Sequence, residues 1–105
     1  MKKCSLFIVA IILFSCAKIE KSCFDFSPSE PFSGDVVVFN ASCSQYASTY
    51  KWSFGDGSPD TVTNSLTINH VYRSPGIYIV EMKAGRKDGI VFIEGKPQTK
   101  MFVVR

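Results

Sequence analysis

Four cysteines, one histidine and two nearby aspartates are the side chains of this 105-residue sequence whose types could do chemistry: Cys4, Cys16, Cys23 and Cys43, then His70, then Asp56 and Asp60. A histidine acting as general base needs a nucleophile beside it or an acid to orient it. Neither a Gly-x-Ser-x-Gly elbow nor a histidine-rich metal set accompanies His70, so no catalytic constellation is expected. Asp56 and Asp60 share a turn rich in glycine, serine and proline. A calcium site needs about six to eight oxygens from a densely acidic loop, so two turn aspartates is the favoured reading over a calcium site. Cysteines without neighbouring histidines make no zinc set, and no cofactor is expected. The chemistry left to the cysteines is covalent: a lipid or a disulfide.

Cys16 follows a leader. Lys2 and Lys3 form a basic start, and residues 6–14 read Leu-Phe-Ile-Val-Ala-Ile-Ile-Leu-Phe without a polar side chain. As a helix this run rises only about 14 Å against a hydrocarbon core of roughly 30 Å, too short to span a bilayer, so residues 1–15 are expected to be an export signal. Leu13-Phe14-Ser15-Cys16 resembles the lipobox of bacterial lipoprotein signal peptides, with Phe14 bulkier than usual for that family. The resemblance implies cleavage before Cys16 and acylation of its thiol and new amino terminus. The alternative is an ordinary signal peptide with an incidental cysteine near its cut. Cleavage before Cys16 leaves 90 of the 105 residues and, with Lys2 and Lys3 gone, moves the formal charge from +3 to +1. A near-neutral domain has no electrostatic footprint for nucleic acid. The membrane partner would be the lipid anchor, at about 0.8 kcal/mol per buried methylene.

The elements that must position the remaining residues read as strands. Residues 17–22 are short and polar, and residues 16–22 together read as a lipidated tether to a domain over 23–105. Phe24-Asp25-Phe26 alternates and stops at a Ser/Pro turn, and Val36-Val37-Val38-Phe39 is β-branched, so the two form a hairpin. Over residues 48–54, Tyr50, Trp52 and Phe54 share one face. The loop from residue 61 to 65 is polar, and residues 66–72 read as a weaker strand. Residues 77–84 are the longest regular run, with Tyr78, Val80, Met82 and Ala84 inward. Residues 85–89, Gly-Arg-Lys-Asp-Gly, read as a hairpin turn. Residues 90–94 and 99–104 read as strands separated by Gly95-Lys96-Pro97. About seven short strands at regular spacing without helical period predict an all-β, Ig-like antiparallel sandwich.

Pairing the first two strands with Phe24, Phe26, Val37 and Phe39 on the inner face puts Cys23 opposite Asn40 or Ser42, within two residues of Cys43. A disulfide there would close a loop of about 20 residues and add on the order of 3 kcal/mol; two free buried thiols are the alternative. Exported chains sit where disulfides persist. Ile77 and Ile79 should face outward, with Val91 or Phe92 in position to join them. Scattered surface apolar residues are ordinary, but a contiguous patch would be the partner surface. Asn40-Ala41-Ser42 and Asp60-Thr61-Val62 fit short glycosylation patterns that carry little weight.

Two blocks carry a family resemblance. Trp52-Ser53-Phe54-Gly55-Asp56-Gly57 resembles the Trp-Asp-Phe-Gly-Asp-Gly signature of the polycystic kidney disease (PKD) domain. His70-Val71-Tyr72-Arg73-Ser74-Pro75-Gly76-Ile77-Tyr78-Ile79-Val80 resembles its second block, His-x-Tyr-x-x-Pro-Gly-x-Tyr-x-Val. Residues 34–42 are similar to the family's second strand and following turn. Ser53 departs from the family, which often has aspartate there. The resemblance implies that Trp52, Phe54, Gly55, Asp56, Gly57, His70, Tyr72, Pro75, Gly76 and Tyr78 are architectural, core and turn residues that specify a fold and no reaction. His70 is then a side chain bonded within the fold.

These readings combine into a non-catalytic, lipid-anchored PKD-domain protein of the cell envelope that contacts an unidentified protein or glycan. The alternative is a spacer or accessory subunit with no ligand of its own. Ala17 after the lipid cysteine differs from the aspartate of the inner-membrane retention signal of enteric bacteria, so the outer membrane is expected, on its periplasmic or its exposed side. Oligomeric state leaves no trace in the sequence.

Overall fold

The computed structural model describes residues 20–88 and 91–105. β-Branched and aromatic residues at every second position suit a pleated ribbon with one buried face, and where that spacing occurs the chain is a strand. The strands are β1 (Asp25–Ser27), β2 (Val36–Asn40), β3 (Thr49–Ser53), β4 (Thr61–Thr63), β5 (Thr67–Val71), β6 (Gly76–Asp88), β7 (Val91–Glu94) and β8 (Gln98–Val104). No helix occurs among the described residues. One sheet runs β1-β2-β5; the other runs β4-β3-β6, with β7 and β8 pairing successive parts of the long β6. All strand pairs are antiparallel.

The core lies between the sheets. Val37 and Phe39 of β2 face Tyr50 and Trp52 of β3, Val80, Met82 and Ala84 of β6, and Phe102 and Val104 of β8, all buried. Phe24 and Phe54 are buried just outside β1 and β3. Phe39 is the hub, its ring centroid 5.5 Å from Trp52, 5.3 Å from Phe54 and 6.3 Å from Phe102. Phe24 meets Trp52 edge-on at 5.2 Å. Such tilted and edge contacts each add about 0.5–1.5 kcal/mol beyond area burial, which matters in a domain this small.

Three expectations need correction. The about seven strands expected are eight, because residues 61–63 are not loop but form β4: Tyr50, Lys51 and Trp52 pair with Thr63, Val62 and Thr61, and threonine suits a strand. Residues 85–88 are strand rather than turn. β6 continues through Asp88 and pairs with β7, Asp88 opposite Val91. Gly85 is there because a Cβ would collide with the Ile93 carbonyl, so the glycine permits close approach of β7. Finally, the outward Ile77 and Ile79 are joined by Val103 and Met101 of β8, their direct partners, because β7 pairs the far end of β6. Phe92 is opposite Lys87 there and half-buried.

Contacts with the sandwich begin before Cys23. Lys21 and Gln45 exchange backbone hydrogen bonds of 3.0 Å each way, and Lys21 also bridges Lys96. The buried Ser22 hydroxyl accepts the Ala84 amide at 2.9 Å, and Glu20 pairs with Arg86. The leader and Cys16 lie outside the described residues.

Candidate functional site

The two sequence blocks meet in space. β3 carries Trp52 and then delivers Phe54 inward, and the chain turns through Gly55-Asp56-Gly57 with φ of 79° at Gly55 and 87° at Gly57, a region that favours glycine. At Gly55 a second constraint operates, since a Cβ would run into the Ile79 carbonyl of β6. The turn presents Asp56 to β5, whose inward residues are Ile68 and His70.

Asp56 is held from three sides. Its Oδ1 accepts the Ser58 hydroxyl at 2.6 Å and the Ser58 amide at 3.1 Å, while Oδ2 is 2.7 Å from His70 Nε2. Burial raises its pKa, but the hydrogen bonds from the Ser58 side chain, His70 and the Ser58 amide, with the attraction of His70, outweigh that and hold the carboxyl down at about 2. An ionised carboxylate only accepts, so Nε2 carries the proton. The His70 ring stacks on Phe54 at 4.0 Å and 7°, and meets Tyr72 edge-on at 4.7 Å. Tyr72 donates its buried hydroxyl to the Phe54 carbonyl at 2.8 Å, and burial, then the charge of Asp56, pushes its phenol well above the usual range. Tyr78 reaches back to the Ser74 carbonyl at 2.7 Å and pins the Ser74-Pro75-Gly76 turn.

Serine, histidine and aspartate thus cluster here, but in the wrong order for acyl transfer. A triad places histidine between serine and aspartate so that it takes the serine proton. Here Asp56 is in the middle, and Ser58 gives its only hydroxyl proton to the carboxylate. The arrangement fastens the turn after β3 onto β5 and activates no nucleophile. Among the described residues no group of three histidine, cysteine, aspartate or glutamate side chains could hold a metal ion. Asp60 is exposed.

Outside this lock lies an open groove of about 640 Å³. It is lined by Asp56, Gly57 and Ser58 of the turn after β3, Val36 of β2, Asn69, His70 and Val71 of β5, and Arg73. Among the described residues, the side chains of Asn69 and Arg73 make no hydrogen bond or ion pair.

A second feature is apolar. On the outer face of the five-stranded sheet, Ile77 and Ile79 are 67% and 57% exposed, and their partners Val103 and Met101 are 45% and 68% exposed. Cys23 and Cys43 form a disulfide with Cα atoms 5.3 Å apart, at the end of the β1–β2 pairing. Ser44 ties the same corner, accepting the Cys23 amide at 3.0 Å and donating to its carbonyl at 2.7 Å.

Sequence reasoning singled out Asp56 and His70 and not their meeting, and it passed over Ser58, Asn69, Arg73, Met101 and Val103. The usable signal was parity. Once β5 pairs with β2, His70 must face inward with Ile68, and Asn69 and Val71 outward.

The family model of the PKD domain matches residues 24–91. No curated protein matches the chain. Solved structures similar to the chain include the following two. One, described as the structural basis for the promiscuous specificity of carbohydrate-binding modules from the β-sandwich superfamily, aligns with TM-score 0.70 and 32% identity over 83% of this chain. This chain covers 34% of that one's length. The other, the solution structure of the PKD domain from the human VPS10 domain-containing receptor SorCS2, aligns with TM-score 0.58 and 18% identity over 100% of this chain and 93% of its own, a likeness of fold.

Proposed function

The chain belongs to the PKD domain family, and on that premise we propose that it is a non-catalytic interaction module, held at the cell envelope through a lipid on Cys16, that contacts protein through the outer face of β6 and β8. The observation that carries this reading is the apolar quartet Ile77, Ile79, Met101 and Val103, cross-strand neighbours each 45% exposed or more. Together they offer a patch on the order of 400 Å², a size that is often functional on a single chain. The family is one of generally non-catalytic domains, and the Asp56-centred cluster supports that.

The disulfide and the family fit an exported protein. The lipobox-like Leu13-Phe14-Ser15-Cys16 supports the anchor, and Ala17 supports the outer membrane, in its periplasmic or exposed leaflet. Glycan is the second class of partner, favoured by the likeness to a carbohydrate-binding module structure. Protein is preferred on the quartet because none of its four side chains is a ring that could stack on a sugar, and Trp52, Phe54 and Tyr72 are buried.

Site-directed photo-crosslinking in envelopes tests the reading. A photoreactive residue at Ile79 or Met101 of the full-length protein should give a discrete protein adduct that the same residue at Val38, on the outer face of the other sheet, does not. Adducts of equal yield from all three positions, or none, would favour a spacer. Protease shaving of intact cells separates the surface from the periplasm.

A further inference from the structure

The groove beside the Asp56 lock is a different surface, on the edge of the three-stranded sheet. Its lining holds one anion, Asp56, and one cation, Arg73. Asp56 is anionic but occupied, both oxygens already taking bonds from Ser58 and His70. Arg73 is exposed and makes no ion pair among the described residues. An entering ligand therefore meets one free guanidinium, whose planar fork matches a carboxylate with two parallel bonds.

The other groups narrow the class. The Asn69 amide is free to give and accept a hydrogen bond at once, which suits a hydroxyl or a pair of them. The Ser58 hydroxyl, having spent its proton on Asp56, can only accept. Val36 and Val71, directly opposite each other in the β2–β5 ladder, supply an aliphatic part of the lining. The groove is open and has no deep apolar pocket for a peptide anchor, which is where peptide recognition concentrates its energy. A ligand with one carboxylate, several hydroxyls and a C–H face fits these groups.

We infer that this groove binds a carboxylated saccharide, a uronic-acid unit of a glycan, with its carboxylate on Arg73 and its hydroxyls on Asn69 and Ser58. None of the residues lining the groove belongs to the apolar quartet of β6 and β8.

The test is calorimetric titration of the full-length protein in detergent with trigalacturonate, the matched neutral galactotriose and a short glutamate peptide. Trigalacturonate should bind about tenfold or more tighter than galactotriose, the range of a charge-assisted hydrogen bond. Arg73→Gln should erase that difference with the melting temperature unchanged, since the side chain is exposed and bonded to nothing described. Asn69→Ala should weaken both sugars, and Ile79→Glu should weaken neither, so loss of protein adducts and loss of sugar binding report separately. Equal affinity for the two saccharides, no binding, insensitivity to Arg73→Gln, or a glutamate peptide bound as tightly as trigalacturonate would overturn the assignment.

Discussion

His70 Nε2 lies 2.7 Å from Asp56 Oδ2, so the only histidine of the chain joins the turn after β3 to strand β5 of the opposite sheet. The two sheets share no ladder at this edge, and side chains make the connection instead. The carboxylate supplies the pH dependence. Its pKa is about 2 in the folded protein against 3.8 ordinarily, so its stabilisation is complete above pH 4 and lost as pH falls towards 2. With allowance for solvent screening the loss is on the order of 1 kcal/mol. Melting temperature measured between pH 5 and 2 should fall more steeply for the wild type than for Asp56→Asn; parallel curves would remove Asp56 from the account.

The signature glycines should separate. Gly55→Ala faces both a left-handed φ and the Ile79 carbonyl, and is expected to cost about 2–4 kcal/mol. Gly57→Ala keeps the φ penalty alone, with nothing within 4 Å of the new methyl, and should cost about 1 kcal/mol. Urea midpoints of the two variants decide it, and equal losses would mean that the Ile79 contact relaxes freely.

Trp52 is fully buried, and its indole Nε1 reaches no acceptor among the described residues. Trp52→Ala should cost about 3–5 kcal/mol. Trp52→Phe should cost much less, because it removes a buried unpaired donor along with part of the ring. A comparable loss in both variants would show that the indole N–H is satisfied in solution.

Cys23 and Cys43 close a loop with a sequence separation of 20. The Cys23→Ser, Cys43→Ser double variant should lose about 3 kcal/mol of stability. The Ser44 bonds and the β1–β2 ladder should still hold the corner, so the circular dichroism of the folded variant is expected to match the wild type.

Labelling with radioactive palmitate should mark the protein through Cys16, and Cys16→Ala should abolish the label. An unlabelled mature wild type would remove the lipid from the proposal and leave an ordinary exported domain.

What the sequence disclosed follows from how locally each feature is encoded. Tyr50, Trp52 and Phe54 alternate, so one buried face of β3 was legible from spacing alone. Cys23 and Cys43 were placed together because two short strands with clear inner faces admit few registers. β4 left no such trace: Thr61-Val62-Thr63 is three residues on a sheet edge, held by pairing with β3 rather than by a pattern of its own. Gly85 misled because a glycine that lets a neighbouring backbone approach looks the same, in one dimension, as a glycine that turns. The apolar quartet was half legible. Ile77 and Ile79 announce an outward face, but Met101 and Val103 join it only through the β6–β8 register, which rests on contacts more than twenty residues apart. Arg73 and Asn69 acquire meaning only beside a groove built from three separate segments.

Lys21, bonded in both directions to Gln45, sets a boundary on reach. With a lipid on Cys16, five residues at most about 18 Å long separate the bilayer from the first backbone bond of the sandwich. The module is then moored, its Lys21 end down, and cannot extend into the surrounding space to search for a ligand. With that anchor, encounters would take place in a thin layer at the membrane, where a partner diffusing in the same plane would meet it at a local concentration set by area rather than by volume.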